Sequence, residues 1–334
     1  MNLSGTFSAD AAVELAVTTR DGFVESRHVG SAVVLSPDGE VVAEYGAPSA
    51  LVYPRSALKP FISVAVMTSG VTLRGEDAAI STASHTGTAL HVAKVRSLLS
   101  RVGLDDRALL CPPLLPGNAD ASAQVIRDGG GPLPVYHGCS GKHAGLLVAC
   151  VTNDWPTHSY LDADHPIQQK VREVIERLSG ERPTAPTADG CGTPLYAMSL
   201  IGLARGVQRV AQSSEQSPFA LHREAGALGQ AIRENAVLIS GPGEPESIAI
   251  SRHGVVSKLG FEGVQTMVAP DGTAVALKTL DGSLRPGVPV ALSLLAHHGA
   301  LEQSAVDETL ELVAPRFNAG NREAGRLIPT AHRR

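Results

Sequence analysis

A serine and a lysine stand three residues apart where a helix is predicted to begin. The segment Arg55-Ser56-Ala57-Leu58-Lys59-Pro60 places Ser56 and Lys59 on one helical face. A serine hydroxyl is a poor nucleophile until a neighbouring group accepts its proton, and a neutral lysine amine can do so. These residues therefore indicate attack by an activated serine, although so short a pattern also arises by chance.

Lysine is scarce in this chain. Of the 28 basic residues only six are lysine, so arginine carries the ordinary positive charge. Unlike arginine, lysine can lose its proton and act as a base or a metal ligand. Lys258, at the end of a late predicted strand, would face Ser56 if both ends of the chain build one sheet. The alternative is a solvated strand lysine.

Three loops carry further candidate groups. Ser84, in the segment Ala83-Ser84-His85-Thr86-Gly87, could relay a proton or simply cap a helix. Two glycine-rich loops, residues 137–143 and 189–192, each present a cysteine beside histidine, lysine or aspartate. Thiolates are soft ligands that suit zinc, so these loops are consistent with a zinc site. They are equally consistent with two buried cysteines on tight turns.

The elements that must position these groups follow from periodicity and turn signals. Strands are predicted at residues 13–17, 29–35 and 40–45, and again at 254–259, 264–268 and 274–280. The region between them is mostly helical, with candidates at 56–68, 77–83, 91–101, 144–151, 167–178, 194–204 and 218–232; a last helix follows at 288–296. This order predicts an α+β fold whose antiparallel sheet is assembled from both termini.

The predicted organisation is one catalytic domain. It spans residues 1–320, with sheet strands within 10–50 and 250–285 and a mostly helical insertion over 56–245. Residues 321–334 are predicted to be a polar, loose tail.

Composition excludes several classes. The chain has 334 residues, 43% of them hydrophobic and 18% charged, which is typical of a globular protein. It has a net charge of -5 and no run of basic residues, so we expect no nucleic-acid partner. We find no apolar stretch long enough for a membrane span and no secretory signal, so we expect a soluble, cytoplasmic protein. Four cysteines are too few for a disulfide framework, and Cys111 and Cys150 are expected to be buried.

Taken together, the motifs resemble the Rhizobium etli-type L-asparaginases, in the wider serine β-lactamase-like group. The matching stretches occur in family order and cover nearly the whole chain: Arg-Ser-Ala-Leu-Lys-Pro at 55–60, Ala-Ser-His-Thr-Gly at 83–87, Cys-Ser-Gly-Lys-His-Ala-Gly at 139–145, Asp-Gly-Cys-Gly-Thr-Pro at 189–194 and Lys-Leu-Gly-Phe-Glu-Gly at 258–263. The resemblance implies a serine β-lactamase-like fold and a homodimer.

The resemblance also implies a role for each matching residue. Ser56 would be the nucleophile and Lys59 its base, with Ser84 and Lys258 as a second serine–lysine pair. Substrate would be bound by Arg55, His85 and Asp189. A zinc ion that is not the catalytic electrophile would be held by Cys139, Lys142 and Cys191. Two positions depart from the family pattern, because Thr88 replaces a residue that is often acidic and Glu244 stands near the place of an arginine.

The implied activity is hydrolysis of L-asparagine to L-aspartate and ammonia through an acyl-enzyme. Backbone amides at the helix start would stabilise the oxyanion. Burial and the like charge of Lys258 would keep Lys59 neutral. The alternatives are a glutaminase, another serine–lysine amidase or esterase, and a zinc-binding homologue without activity.

Overall fold

The structure is a computed structural model that describes residues 5–331. The strands are β1 (Val13–Arg20), β2 (Phe23–Leu35), β3 (Val41–Tyr45), β4 (Leu51–Val52), β5 (Thr184–Ala188), β6 (Pro194–Ser199), β7 (Val256–Gly260), β8 (Val264–Val268), β9 (Ala274–Thr279), β10 (Arg316–Ala319) and β11 (Arg322–Pro329). The helices are α1 (Lys59–Thr68), α2 (Glu76–Thr82), α3 (Ala89–Ser100), α4 (Ala119–Arg127), α5 (Ser140–Thr152), α6 (Pro166–Ser179), α7 (Leu200–Gln212), α8 (Ala220–Glu234), α9 (Ala236–Ile239), α10 (Pro245–His253), α11 (Gly287–His297) and α12 (Gln303–Val313).

The main sheet joins the two ends of the chain. Its strands run in the order β10-β11-β1-β2-β9-β8-β7, and β3 also pairs with β2. The long strand β2 connects the two halves, because it pairs antiparallel with β1 on one side and β9 on the other. The predicted α+β class and the antiparallel sheet built from both termini are therefore confirmed.

The centre of the sheet is buried on both of its faces. Every residue of β8 and β9 is buried. Because successive side chains of a strand point to opposite faces, other elements must cover both sides. Helix α7 packs against β2, β8 and β9, and α11 packs against β8 and β9. Within residues 5–331, no helix has both the length and the apolar character needed to cross a membrane.

The prediction of a loose C-terminal tail from residue 321 was wrong for residues 322–329. These residues form β11, which pairs with β1 and with β10. Ala324 and Leu327 are buried, whereas Arg322 and Glu323 are exposed and Arg322 forms an ion pair with Asp21. The exposed charges of a sheet strand therefore resembled a polar tail. Residues 332–334 of that predicted tail lie outside the described residues.

A second, small sheet takes two of its three strands from the predicted helical region. Its order is β4-β6-β5, and it corrects the helix predicted over residues 194–204, whose first part is strand β6. Ser199 marks the real start of α7, because its hydroxyl accepts a hydrogen bond from Gly202 N at 2.9 Å. That N-cap signal separates an apolar strand from the helix that follows it.

Candidate active site

Ser56 lies in a tight turn between β4 and α1. The turn covers Arg55–Leu58 and leads directly into Lys59, the first residue of α1. Arg55 has a φ of 54°, a left-handed conformation that is uncommon outside glycine and often marks functional sites. Gly260 of β7 packs on this turn so closely that a Cβ there would lie 2.1 Å from Pro54 O. The end of β7 therefore supports the backbone that carries Ser56.

Lys59 is buried and is bonded to neutral oxygen atoms. Its Nζ donates to the carbonyl of Ala83 and, at 3.0 Å, to that of Gly138, and it lies 3.0 Å from Ser84 Oγ. Burial lowers the pKa of Lys59, and the nearby Cys139 opposes that shift. A neutral amine has two hydrogen atoms and one lone pair. With both carbonyls taking the hydrogen atoms, the lone pair of neutral Lys59 would face Ser84.

The hydrogen bonds around the two serines differ from the predicted pairing. Ser84 is bonded to Lys59 and not to Lys258. Among residues 5–331, no hydrogen bond joins Ser56 Oγ to Lys59 Nζ. Both serines line the same cavity, so Ser84 lies between the Lys59 amine and the space where substrate would meet Ser56. Catalytic hydrogen bonds are often completed only when substrate binds.

Lys258 has a carboxylate partner that the sequence did not reveal. Its Nζ lies 3.4 Å from Glu246 Oε2, and both side chains are fully buried, with exposures of 0% and 1%. Burial lowers the pKa of Lys258 to about 8, although Glu246 acts in the opposite direction. Lys258 also donates to the carbonyl of Leu259 at 3.2 Å.

Glu246 is held by several other polar groups. Ser240 Oγ donates to it at 2.7 Å and Ser257 Oγ at 3.1 Å, and Gln265 Nε2 lies at 3.5 Å. In sequence, Glu246 looks like an ordinary acidic residue in the first turn of a helix, where such residues are common. The signal that could have identified it is the group of polar residues Ser257, Lys258 and Gln265 on two neighbouring, largely buried strands.

Arg55 and Asp189 form a charged wall of the cavity. Arg55 Nε lies 2.6 Å from Asp189 Oδ1, and both side chains remain partly exposed. Asp189 follows β5, at the turn that leads to β6. The cavity has a volume of about 440 Å³ and is lined by Ser56, Ser84, Arg55, Asp189 and His85, among others. Five of the seven residues predicted to be catalytic or substrate-binding thus meet there.

His85 lines the cavity with both ring nitrogens engaged. Its Nδ1 accepts a hydrogen bond from Gly87 N at 3.1 Å, which leaves the proton on Nε2 to be donated to Ser140 Oγ at 2.9 Å. Burial holds the pKa of His85 well below its usual value. The neutral ring therefore ties the 83–87 loop to the start of α5.

The two predicted cysteine loops meet beside the same cavity. Cys139 and Cys191 both line it, and neither is part of a disulfide. Lys142 Nζ lies 2.9 Å from Cys191 Sγ and 2.7 Å from Thr193 Oγ1. Cys111 and Cys150 are buried, as expected.

The charges in this cluster are strongly coupled. The interaction between the two cysteine side chains, assisted by Lys142, lowers the pKa of Cys191, and the same interaction raises the pKa of Cys139. Burial disfavours the charge on Lys142, yet Cys191, Cys139 and Asp189 together outweigh it and raise the pKa of this lysine. The sulfurs of Cys139 and Cys191 and the amine of Lys142 lie together. As two thiolates and a neutral amine they form a donor set that fits zinc. Among residues 5–331, no three His, Cys, Asp or Glu side chains form a metal-binding group, so the lysine is needed to complete the set.

A model of the L-asparaginase II family matches residues 16–329. The chain belongs to this family. Ser56, Ser84 and Lys59 all lie within the matched residues. No curated protein sequence gives a significant match to this L-asparaginase II family member.

Solved structures show distant similarities. The crystal structure of Mglu in its glutamate form is 12% identical with a TM-score of 0.45, and the match covers 81% of this chain and 61% of that one. A Bacillus glutaminase is 12% identical with a TM-score of 0.42, over 85% and 91% of the two chains. A beta-lactamase from Mycobacterium bovis is 14% identical with a TM-score of 0.41, over 81% and 95%. The family member thus spans about three fifths of Mglu, and nearly the full length of the other two.

Proposed function

We propose that this L-asparaginase II family member hydrolyses L-asparagine to L-aspartate and ammonia. One observation carries the proposal: two serines, one of them bonded to a buried lysine, line a cavity that also holds an arginine–aspartate pair. The serines and the lysine supply nucleophilic chemistry, and the charged pair suits an amino-acid substrate.

Ser56 attacks the carboxamide carbon in this mechanism. Neutral Lys59 accepts the proton of Ser56. The transfer uses the Ser84 hydroxyl, which lies 3.0 Å from the Lys59 amine. The three carbonyl and hydroxyl partners hold the amine in place without a carboxylate that would fix its charge. Backbone amides of the Ser56 turn stabilise the oxyanion. The amine then returns the proton to the leaving ammonia, and water hydrolyses the acyl-enzyme on Ser56.

Arg55 and Asp189 recognise the charged end of the substrate. The guanidinium of Arg55 binds the α-carboxylate, and the Asp189 carboxylate binds the α-ammonium group. The left-handed conformation of Arg55 aims this side chain at the cavity next to Ser56. His85, whose two nitrogens are already used by Gly87 and Ser140, shapes the wall instead of binding the substrate.

Zinc is the metal we propose for Cys139, Lys142 and Cys191. Bound there, it would supply a fixed positive charge at the cavity wall and hold the two cysteine loops together. The catalytic proton transfers use Ser56, Lys59 and Ser84. We also propose that the protein is a cytoplasmic homodimer.

The test is ammonia release from L-asparagine by the wild type, Ser56→Ala and Ser84→Ala. Wild type should turn over, and Ser56→Ala should lose activity below detection because no acyl-enzyme can form. Ser84→Ala removes the same atom from the neighbouring serine; it should slow proton transfer but leave Ser56 able to form the acyl-enzyme, so it should retain measurable activity. Ser56→Ala within tenfold of wild type would remove the basis of the proposal.

Three alternatives are separated by substrate. A panel of L-glutamine, simple esters and a chromogenic β-lactam distinguishes a glutaminase, an esterase or a β-lactam hydrolase from an asparaginase. Failure of every substrate, with and without a chelator, would support a zinc-binding protein without activity.

A further inference from the structure

The mouth of the catalytic cavity is apolar. Its lining includes six large apolar or aromatic side chains: Leu114, Leu115, Tyr136, Leu259, Phe261 and Leu284. Three of them are markedly exposed, with Phe261 at 56%, Leu114 at 47% and Leu284 at 42%. A single exposed leucine is ordinary, but several large apolar side chains gathered around one cavity mark a place where an apolar group binds.

Phe261 is held beside the nucleophile by the hairpin that carries it. Residue 260 packs on the Ser56 turn, where a Cβ on Gly260 would lie 3.2 Å from Ala57 N. The hairpin between β7 and β8 is fixed from the other side, because Lys278 Nζ donates to Glu262 O at 2.6 Å. The phenyl ring is thus an exposed side chain on a firmly placed backbone.

The cavity is also large for asparagine. Its volume of about 440 Å³ lies within the range of roughly 300–1,000 Å³ that accommodates drug-sized ligands. The charged pair Arg55 and Asp189 suffices for the amino-acid end of the substrate, and Ser56 takes the carbonyl carbon. Only the nitrogen side of the amide is then without an assigned partner. The cavity lining that is left to contact it is apolar.

We propose that the cavity accepts side-chain amides of L-aspartate whose nitrogen carries an apolar substituent. Phe261, Leu114 and Leu284 would contact that substituent. The inference rests on the proposed function and extends it from asparagine to a class of larger substrates.

The reaction is the same as for asparagine with another leaving group. The Ser56 oxygen forms the ester bond to the carbonyl carbon, the carbon–nitrogen bond breaks, and the nitrogen leaves as the free amine with the proton taken from Ser56. Water then adds to the ester, releasing L-aspartate and restoring the serine. No oxidant or further reactant is required.

The experiment compares two substrates in four proteins. L-asparagine and the β-(4-nitroanilide) of L-aspartate, which releases coloured 4-nitroaniline, are assayed with wild type, Phe261→Ala, Phe219→Ala and Ser56→Ala. Phe219 is 69% exposed and does not line the cavity, so it controls for the loss of an exposed phenyl ring. Ser56→Ala shows whether both substrates use one nucleophile.

We expect wild type to hydrolyse both substrates and Ser56→Ala neither. Phe261→Ala should lower the ratio of kcat/KM for the anilide to that for asparagine about tenfold, the effect of losing an apolar contact with a substrate. Phe219→Ala should leave the ratio unchanged.

Three results would overturn the inference. Wild type that hydrolyses asparagine but not the anilide would leave the proposed function standing without the apolar subsite. Equal losses for both substrates in Phe261→Ala would make Phe261 a general support of the Ser56 turn. An unchanged ratio, with Phe261→Ala converting a dimer to a monomer, would show that a second copy covers the mouth. Failure of asparagine itself would instead remove the proposed function.

Discussion

Two lysines are fully buried near Ser56, and their surroundings differ. Lys59 is bonded to the carbonyls of Ala83 and Gly138 and to the hydroxyl of Ser84. Lys258 faces the carboxylate of Glu246. Burial lowers the pKa of both lysines, but only Lys258 has a buried negative charge that would be left unpaired if it lost its proton.

Because of this difference, only one of the two lysines is suited to act as a base. Neutral Lys59 still satisfies its partners, because its two hydrogen atoms go to carbonyls and its lone pair meets a hydroxyl. Neutral Lys258 would leave the buried charge of Glu246 without its partner. Lys59 is therefore suited to proton transfer, and Lys258 to holding a fixed charge.

The largest expected effect comes from removing the base. Lys59→Arg should lower kcat for asparagine about 10²–10⁴-fold, because arginine keeps its proton at any workable pH. Lys258→Arg is the matched control, since an ion pair with Glu246 can survive that change. Steady-state assays of ammonia release check this. If both variants lose activity equally, the distinction between the two lysines fails.

The buried pair should dominate the effect of Lys258 on stability. Lys258→Met leaves Glu246 without its cation and should lower the free energy of unfolding by about 3 kcal/mol. The double variant Lys258→Met/Glu246→Gln should recover most of this loss, because neither charge remains. The double-mutant cycle is completed by urea denaturation of wild type, Lys258→Met, Glu246→Gln and the double variant. Additive losses in the double variant would mean that the two side chains are not coupled.

A third buried lysine extends the comparison to the cysteine cluster. If Lys142 binds zinc as a neutral amine, Cys139 and Cys191 should both place sulfur about 2.3 Å from one ion. An anomalous X-ray map at the zinc edge would show it, and metal analysis of Cys191→Ser should find the zinc lost. Cys150→Ser, which changes a buried cysteine outside the cluster, should keep it. A disulfide between Cys139 and Cys191 would refute the site.

The smallest expected effect is a shift in pH dependence. Activity requires neutral Lys59, so it should rise with pH until the depressed pKa of this lysine is passed. Lys258→Met removes a positive charge and exposes Lys59 to Glu246, and both changes raise the pKa of Lys59. The rising limb should therefore move to higher pH, and activity at pH 7 should fall.

The double variant is the control for that shift. Lys258→Met/Glu246→Gln removes both charges, so its rising limb should return toward the wild-type position. The profiles are measured with asparagine below saturation. A profile that loses height equally at every pH in Lys258→Met would indicate a distorted site and no electrostatic coupling.

Local patterns were sufficient to predict much of the fold, and several of the residues that they singled out line one cavity. Alternation and turn residues identified the strands at both ends. The motifs pointed to Lys59 and to Ser56, Cys139 and Cys191, the last three of which line one cavity. Strand β11 was missed because its exposed charges hid the buried Ala324 and Leu327.

Contacts between distant side chains could not be predicted in the same way. Glu246 meets Lys258 because α10 packs against β7, and nothing in either local segment specifies that approach. The bond of Ser84 to Lys59, in place of the expected pairing with Lys258, likewise depends on side-chain positions. Residue types reveal which chemistry is available, whereas the partner of each charged group is decided by packing.

In the proposed mechanism Ser56 forms the acyl-enzyme after Lys59 accepts its proton. The direct measurement is mass spectrometry of peptides from enzyme quenched in acid during turnover of asparagine. We expect an aspartyl adduct on the peptide that carries Ser56, more of it when hydrolysis is slowed, and none in Ser56→Ala. An adduct on Ser84, or an active enzyme that never carries one, would contradict it.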